Sequence, residues 1–354
     1  MRLGRRLLLP LTPIYAAAVW GGRLLLRRGW RRTKTLPEVV LSIGSVSAGG
    51  AGKTPFALLM ANVLGRRGYA VRILSRGYGR ASGEVERVDP AGDARRFGDE
   101  PMLLARRSGA PVYVGAERYR AGLMAGELRT GGTAVYLLDD GFQHRRLARD
   151  LDIVLLTSKD VDDRMLPAGD LREPLATIAE ADVVVVREEE MGGLREFLSG
   201  LRCGGEAMPV WMIRRRLGLV AGGGAGLGLE LGLGLEAGMP GRVLAFCGIA
   251  RPESFLGMLA GAGCRPAAEV IFADHHRYGE RDIVRLLARA EAVGADGFVT
   301  TEKDAVKLTE AMRRRLGGVG PVVIAELRTE LVDEEGAVAQ MLALVPRLNR
   351  MGDR

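Results

Sequence analysis

A glycine-rich loop between an apolar run and a helical segment constrains the fold more strongly than any other part of this sequence. Residues 39–43 are mostly apolar, SVSAGGAGKTP follows at 45–55, and 53–65 has the period of a helix. Glycines at such a place let backbone N–H groups turn toward an anion, and a helix N-terminus favours negative charge. The arrangement predicts a phosphate-binding loop at the end of a buried strand.

The individual residues of this loop predict its contacts. Gly52-Lys53-Thr54 matches the end of the strict phosphate-loop rule, whereas Ser47 stands where that rule has its first glycine. In this motif the lysine neutralises the β- and γ-phosphates, and the hydroxyl reaches Mg²⁺. A tight turn with a chance lysine is the alternative. The predicted nucleotide-binding residues are Ser47, Gly49, Gly50, Ala51, Gly52, Lys53 and Thr54.

A second apolar run ends in two carboxylates. Residues 134–138 are apolar and lead directly into Asp139 and Asp140. Carboxylates at the carboxyl ends of parallel strands lie near the phosphate loop, where they hold Mg²⁺ directly or through water. We therefore predict a magnesium site made by Thr54, Asp139 and Asp140, with a solvated turn as the alternative.

Other loops supply weaker hypotheses. Asp99 precedes a predicted helix, where capping is the simplest explanation. Two adjacent histidines, of which His275 is the first, follow another predicted strand, and the chain has three histidines in all. Arg76 and Arg172 either bind phosphate or an acidic substrate, or are merely solvated. The order of residues 301–304 does not match the guanine-reading [NT]-K-x-D signal, so their role stays open.

Apolar segments alternate with segments of helical period along two stretches of the chain. This alternation predicts α/β architecture, with parallel strands buried on both faces. The predicted strands are residues 39–43, 70–74, 111–114, 134–138, 153–156, 183–186, 243–247, 269–272, 297–300 and 322–325. A glycine-rich stretch at 217–241 predicts a flexible connection or an irregular hairpin. We expect a P-loop NTPase-like domain at 37–216 and a smaller α/β domain at 242–354, after an N-terminal segment at 1–36.

The excess basic charge is confined to the N-terminus. Residues 1–37 hold nine of the 51 Lys and Arg side chains and no acidic one, so the remainder has 42 basic against 43 acidic side chains. A nearly neutral body argues against a nucleic-acid groove. The three scattered cysteines favour a reducing compartment over a disulfide framework or a zinc site.

The same N-terminal segment contains an apolar run. Sixteen uncharged residues at 7–22 are interrupted by Pro10 and Pro13, whereas a spanning helix needs about 20 apolar residues. We predict an element on a membrane surface, with apolar side chains in the interface and arginines on anionic headgroups. A helix docked on the protein body, a spanning helix and a signal peptide are the alternatives.

Eight stretches occur in an order that is typical of one bacterial family. They are GSVSAGGAGKTP, LSRGYGR, GDEP, DDGFQHRRLARD, LPAGDLREP, FCGIARPESF, FADHHRY and TEKDAVKL, and they extend to about residue 308. With them the chain resembles the tetraacyldisaccharide 4′-kinases, or lipid A 4′-kinases. The phosphate loop of that family also lacks the first glycine, so the resemblance accounts for Ser47.

The resemblance implies a reaction and roles for single residues. ATP would donate its γ-phosphate to the 4′-hydroxyl of a tetraacyl glucosamine disaccharide 1-phosphate, with Mg²⁺ at Asp139 and Asp140. Asp99 matches the candidate base, and His275 is its partner from the second domain, so catalysis would require domain closure. The weaker substrate or supporting residues are Arg76, Arg118, Gln143, His144, Arg172 and Glu173.

The resemblance also implies a location and partners. We expect a peripheral or monotopic protein on the cytoplasmic face of the bacterial inner membrane, with the lipid disaccharide as substrate, no nucleic acid and no obligatory protein partner. A different membrane-associated phosphate-loop ATPase is one alternative, and it would have no need of Asp99 and His275. A nucleotide-gated membrane adaptor, which would bind ATP without turnover, is the other.

Overall fold

One large, mostly parallel sheet of twelve strands organises the computed structural model, which describes residues 5, 7–28, 32–128, 132–221 and 241–349. The strands are β1 (Val39–Ser45), β2 (Ala70–Ser75), β3 (Glu86–Arg87), β4 (Val112–Val114), β5 (Ala134–Asp139), β6 (Leu151–Leu155), β7 (Val183–Arg187), β8 (Arg202–Cys203), β9 (Glu206–Ala207), β10 (Val210–Ala221), β11 (Val243–Cys247), β12 (Ala268–Ile271), β13 (Gly297–Thr301) and β14 (Val322–Leu331). Their order across the large sheet is β12-β11-β13-β14-β10-β7-β6-β1-β5-β2-β4-β3, and β8 and β9 form a separate ribbon.

Helices connect these strands and cover the sheet. They are α1 (Thr12–Arg27), α2 (Lys53–Arg66), α3 (Ala94–Phe97), α4 (Asp99–Ser108), α5 (Arg118–Gly126), α6 (Ser158–Val161), α7 (Met191–Ser199), α8 (Pro252–Gly261), α9 (Glu280–Val293), α10 (Glu302–Ala305), α11 (Glu310–Gly317), α12 (Glu334–Leu344) and α13 (Pro346–Asn349). Short 3₁₀ turns occupy Leu9–Leu11, Leu175–Glu180 and Glu188–Glu190.

The sheet has two halves joined by a pair of long strands. We term β1–β7 the first wing and β11–β13 the second wing. β10 runs parallel to β7 through residues 210–213 and antiparallel to β14 through residues 213–221. β14 in turn runs parallel to β13. The β10–β14 pair therefore makes one continuous sheet of the two wings.

Apolar composition explains why these strands lie inside the protein. Every residue of β1, β6, β7, β11 and β13 is buried, as expected for parallel strands with helices on both faces. Phe56 and Met60 of α2 share one core with Leu41 and Ile43 of β1. Burial of each such side chain contributes about 1.5–3 kcal/mol. The loop between β1 and α2 is thus held by two rigid elements.

The predicted connection at 217–241 is wrong in its first part. Residues 217–221 are the end of β10 and pair with β14. Leu217 and Leu219 pack against the core of the second wing, which explains why this glycine-containing stretch is extended. The strand β10 is absent from the strands predicted from the sequence. The remainder of the stretch, 222–240, lies outside the described residues.

Helix α12 packs on the first wing, although the sequence places it in the second predicted domain. Its Ala337, Val338 and Met341 belong to the same core as Phe56 of the first wing. Glu334 at its start accepts a hydrogen bond from Arg67 Nη1 at 2.8 Å. Helix α12 therefore packs on the first wing, whereas β11 and β13 belong to the second wing.

Helix α1 lies on the first wing and is amphipathic. Arg23 forms ion pairs with Glu173 and Glu180 of the body, whereas Ile14 and Trp20 are each 66 % exposed. Among the residues that the structure describes, none of the helices is long and apolar enough to cross a membrane. Docking on the body is therefore observed, and binding to a membrane surface stays a prediction.

Candidate active site

A cleft of about 520 Å³ lies between the two wings. It is bordered by loops that follow the carboxyl ends of parallel strands, which is where ligands bind in open α/β sheets. The first wing contributes Lys53 and Asp140 to its lining, and the second wing contributes His275 and Lys303. A ligand in this cleft would contact both wings.

The loop after β1 has the geometry of an anion cradle. Gly50 and Gly52 have φ of +74° and +93°, a region that favours glycine. Lys53 is the first residue of α2, and its Nζ lies 3.0 Å from Ser45 Oγ and 3.3 Å from Asp140 Oδ1. The ammonium group therefore faces the cleft at the N-terminus of a helix.

Ser47 differs from the other residues predicted to bind the nucleotide. The residues that line the cleft are Gly49, Gly50, Ala51, Gly52, Lys53 and Thr54. Ser47 is fully buried instead, and its main chain forms a β-bridge with Leu171. Ser47 therefore packs against a neighbouring loop, at the position where the strict motif has glycine.

Asp139 is the last residue of β5 and Asp140 follows it, beside the phosphate loop, as predicted. Asp139 is 2 % exposed, and its Oδ2 accepts a hydrogen bond from Ser75 Oγ at 3.0 Å. Asp140 has a φ of +51°, and its Oδ2 accepts a hydrogen bond from Arg172 Nη1 at 2.7 Å. Two cations, Lys53 and Arg172, therefore contact Asp140.

These adjacent carboxyl groups have opposite pKa shifts. Burial raises the pKa of Asp139 to about 7, and the charges of Glu100 and Asp140 add to this effect. Burial also raises the pKa of Asp140, but Lys53 and Arg172 outweigh it and lower the pKa to about 2. At neutral pH the site holds one firmly ionised carboxylate and one whose ionisation a nearby cation would favour.

The oxygen atoms of Thr54, Asp139 and Asp140 suit a magnesium ion that is bound mainly through phosphates. In the described part of the chain, no group of three or more His, Cys, Asp or Glu side chains could hold a metal ion. Mg²⁺ needs fewer protein ligands, because it keeps several waters and takes one or two carboxylates plus substrate phosphates. Asp139, Asp140 and the hydroxyl of Thr54 offer oxygen atoms of this kind, and their role as magnesium ligands stays a prediction.

Asp99 and His275 meet across the cleft from different wings. Asp99 begins α4, and its Oδ2 lies 2.8 Å from Nδ1 of His275, which follows β12. The other oxygen of Asp99 accepts the backbone N–H of Glu100 at 3.0 Å. His275 has a φ of +57°, a region that costs about 1–3 kcal/mol for a residue other than glycine. The structure therefore brings this predicted pair together in a defined orientation.

Each member of the pair favours the charged form of the other. Burial raises the pKa of Asp99, but the hydrogen bond and charge of His275 outweigh it and lower the pKa below its usual value. The hydrogen bond to Asp99 raises the pKa of His275 against the effect of burial. Because Asp99 occupies Nδ1, Nε2 is the ring nitrogen that a substrate in the cleft can reach.

Comparison with known proteins identifies the family. The family model described as tetraacyldisaccharide-1-P 4′-kinase matches residues 4–346. The chain belongs to this kinase family. The predicted family, the α/β phosphate-loop fold and the kinase activity are thereby confirmed, whereas the assignment of single site residues stays a prediction.

Relatives of this kinase family match over nearly their whole length. The tetraacyldisaccharide 4′-kinase of Koribacter versatilis (strain Ellin345) is 37 % identical over 347 residues, which cover 96 % of this chain and 98 % of the relative. That of Geobacter metallireducens is 38 % identical over 348 residues, covering 94 % and 96 %. The crystal structure of the "apo" form of LpxK from Aquifex aeolicus in complex with ATP has a TM-score of 0.74 at 30 % identity, covering 97 % of this chain and all of that one.

Two further contacts join the wings of this kinase next to the Asp99–His275 pair. Lys303 forms an ion pair with Glu100, and Glu302 forms one with Arg107 of α4. All four residues are missing from the sequence-based site. The signal that could have found two of them is the charged motif at 301–304, which directly follows a predicted strand. Its role is a contact between the wings.

The weaker candidates fall into two groups. Arg76 and Arg172 line the cleft, so a contact with phosphate or substrate stays a prediction for both. The others lie outside the lining of the cleft and are Arg118, Gln143, His144 and Glu173.

Residues of the second group lie outside the cleft, and one of them contacts the phosphate loop. Gln143 Nε2 donates to the carbonyl oxygen of Ser45 at 2.8 Å, at the base of the phosphate loop. Burial lowers the pKa of Arg118 to about 10. Burial and the charge of Arg118 lower the pKa of His144 to about 4, so this imidazole is neutral at pH 7. Glu173 is buried and accepts hydrogen bonds from two arginines.

Proposed function

We propose that this kinase transfers the γ-phosphate of ATP to the 4′-hydroxyl of a tetraacyl glucosamine disaccharide 1-phosphate, a precursor of lipid A. One observation carries the proposal: Lys53, Asp139, Asp140 and the Asp99–His275 pair meet at the same edge of the sheet. Its relatives are named for this activity, and the solved relative contains ATP.

The first wing would bind the phosphates of ATP. The backbone N–H groups at the start of α2 and the ammonium of Lys53 favour β- and γ-phosphate oxygens. Arg172, which lines the same cleft, adds a planar donor pair suited to phosphate. Mg²⁺, held by Thr54, Asp139 and Asp140, would neutralise the charge that develops on the transferred group.

The Asp99–His275 pair would take the proton of the attacking hydroxyl. As the bond from the 4′-oxygen to the γ-phosphorus forms, the bond from that phosphorus to the bridging oxygen breaks, and ADP leaves with the electron pair. Nε2 of neutral His275 accepts the hydroxyl proton, while Asp99 orients the ring and stabilises the imidazolium. Phosphoryl transfer depends mostly on positioning and charge, and a positioned base contributes about 10²–10⁴-fold.

We also propose that the protein works on the cytoplasmic face of the bacterial inner membrane, bound peripherally or monotopically. The lipid substrate resides in a bilayer. Nine basic residues without an acidic one at 1–37 favour an anionic leaflet, at roughly 1 kcal/mol for each residue near the surface. The exposed Ile14 and Trp20 of α1 supply apolar side chains for the interface.

The test is a phosphoryl-transfer assay with γ-labelled ATP and the purified disaccharide 1-phosphate lipid, followed by chromatography of the lipid. The proposal is supported if the lipid carries the label and loses it when the 4′-phosphate is selectively removed. Label released only as inorganic phosphate would instead support an ATPase. ATP binding without any turnover would support a nucleotide-gated adaptor.

A further inference from the structure

The segment at 166–174, here termed the Arg172 loop, lies between α1 and the phosphate loop. Asp170 contacts both sides: its carbonyl oxygen accepts the N–H of Ala48 at 2.7 Å, and its side chain pairs with Arg5. The main-chain bond fixes the Arg172 loop to the start of the glycine-rich stretch. The ion pair fixes it to the N-terminal segment.

Arg172 repeats this double contact. Its carbonyl oxygen accepts a hydrogen bond from the hydroxyl of Tyr15 on α1 at 3.2 Å, and its N–H donates to Val46 at 2.7 Å. Its guanidinium donates to Asp140 Oδ2 at 2.7 Å and to the carbonyl oxygen of Ala48 at 3.0 Å. A residue that lines the ATP cleft is therefore held by its backbone to α1.

Glu173 makes the third contact of this kind. Its carboxylate pairs with Arg23 of α1 at 3.4 Å and with Arg145 at 3.1 Å. Glu180 pairs with the same two arginines. Arg145 lies in the turn that follows Asp140, so this network joins α1 to the segment that carries the carboxylates. The side chains of Arg23 and Glu173 are only 14 % and 6 % exposed, and removing one partner of a buried pair is strongly destabilising.

The other face of α1 does not take part in these contacts. Ile14 and Trp20, on that face, are largely exposed, and Leu7 before the helix is 82 % exposed. The contacts of α1 with the active site can therefore be altered without changing its exposed apolar side chains.

We propose that α1 is a positioning element of the active site: through Tyr15 and Arg23 it holds the Arg172 loop against the phosphate loop, and so directs Arg172 toward Asp140 and the bound phosphates. Tyr15 and Arg23 are positioning residues, since they act through Arg172. A membrane that engages the outer face of α1 would stabilise the arrangement that binds ATP. The proposal rests on the proposed function for its nucleotide and its membrane.

The test compares two faces of one helix in the full-length protein. Tyr15→Phe, Arg23→Gln and Arg23→Lys alter the inner face, while Ile14→Ser and Trp20→Ser are matched controls on the outer face. Dissociation constants are measured with a fluorescent ATP analogue in detergent micelles. Values of kcat and of KM for ATP and for the lipid are measured in the same micelles.

We expect Arg23→Gln to raise the dissociation constant and the KM for ATP about tenfold, with KM for the lipid within twofold of wild type. Arg23→Lys should recover part of this loss, and Tyr15→Phe should raise both ATP constants two- to threefold. The outer-face variants should bind anionic vesicles less well, while their dissociation constant for ATP stays within twofold of wild type. This difference between inner-face and outer-face variants separates positioning from membrane binding.

Coupling between two sites is reciprocal. A non-hydrolysable ATP analogue should therefore slow hydrogen exchange of the α1 backbone in wild type, and less so in Arg23→Gln. This readout does not need lipid phosphorylation. If the wild-type protein shows this protection but does not label the lipid, the proposed function is refuted and the coupling still stands.

Unchanged ATP affinity in both Tyr15→Phe and Arg23→Gln would overturn the proposal, as would an equal loss of ATP affinity in the outer-face variants. If melting curves show that Arg23→Gln is unfolded, Tyr15→Phe decides, because it removes a single oxygen atom.

Discussion

At the scale of residues, neighbouring side chains of this kinase differ in chemistry because their surroundings differ. Asp140 is paired with Lys53 and Arg172, whereas Asp139 is paired with a neutral hydroxyl, that of Ser75. The first is therefore ionised firmly and the second is not.

Lys53→Ala should remove nearly all turnover while the protein stays folded. The lysine faces the cleft and is predicted to bind phosphate, so its removal should weaken phosphate binding without opening the core. Turnover and melting temperature are measured beside Arg314→Ala, a control whose side chain is 74 % exposed. Lipid phosphorylation at the wild-type rate in Lys53→Ala would end the phosphate-loop assignment.

Asp99→Ala and His275→Ala should each lower kcat by about 10²–10⁴, the contribution of a positioned acid–base group. Residues that act as a unit are not additive, so the double variant should be little worse than the poorer single one. The dissociation constant for ATP should barely change. A double-mutant cycle in kcat, with melting curves for all four proteins, checks this. Additive losses in kcat, or normal turnover in either single variant, contradict a shared role.

At the scale of elements, the carboxyl end of β5 holds a buried carboxylate that the proposed reaction needs and that lowers the free energy of unfolding. Asp139 follows a fully apolar run and is buried beside Glu100 and Asp140. The cost of ionising it is the cause of its pKa of about 7. Active sites commonly trade stability for such groups.

Asp139→Asn should stabilise the protein in the absence of nucleotide and magnesium. The pKa of Asp139 is about 7 in the folded state and about 3.9 in an unfolded chain, so the folded state binds the proton more tightly. Its contribution to stability is therefore lost as pH rises from about 4 through 7. The gain in melting temperature from Asp139→Asn should be larger at pH 8 than at pH 5, while turnover is lost. Asp162→Asn, an exposed carboxylate, is the control; an equal gain at both pH values would refute the explanation.

The N-terminal element permits a second prediction at this scale. Deleting residues 1–34 should release the protein from membranes and lower its activity on lipid in vesicles, because the deletion removes nine basic residues and the exposed apolar side chains of α1. Sedimentation with anionic vesicles at moderate salt measures the binding. A truncated protein that still sediments with the vesicles would contradict the prediction.

At the scale of the whole molecule, the separate cores of the two wings share one sheet. Phe246 and Phe298 belong to the core of the second wing, which is separate from the core around Phe56. The β10–β14 pair connects the wings, and the ion pairs of Lys303 and Glu302 hold them together at the cleft. Closure of the cleft between the wings can therefore change without unfolding the core of either wing.

Arg107→Met combined with Glu302→Gln should loosen this closure. The double change removes the ion pair between Arg107 and Glu302, and with it the contact of Arg107 with Glu326 of β14 at 2.9 Å. The amide oxygen introduced at position 302 can still accept the N–H of Leu327. We expect kcat to fall about 5- to 10-fold, the size of a typical coupling between sites. Small-angle X-ray scattering should show a larger radius of gyration.

The matched control is Arg314→Ala combined with Glu310→Ala, an exposed ion pair on α11. Such pairs contribute about 0–1 kcal/mol, so scattering and kcat should match wild type. A radius of gyration and a kcat that stay unchanged in the Arg107–Glu302 variant would show that this pair does not govern closure.

Much of the first wing was predictable because its signals are local. The glycines before Lys53, the apolar run before Asp139 and the helical period after Thr54 each lie within a short stretch of chain, and the structure places all three as predicted. The end of β10 escaped prediction because its leucines and glycines at 217–221 do not specify a conformation by themselves. Pairing with β14 decides it.

The sequence by itself determined the α/β class, the phosphate loop and the position of the carboxylates, since strand, turn and helix preferences act over a few residues. Only the tertiary structure decided that α12 returns to the first wing, that α1 contacts the Arg172 loop, and that Lys303 pairs with Glu100. It also decided the distance between Asp99 and His275, which are 176 positions apart. Contacts over such separations depend on how sheets and helices pack in space, and no local preference of the chain specifies that packing.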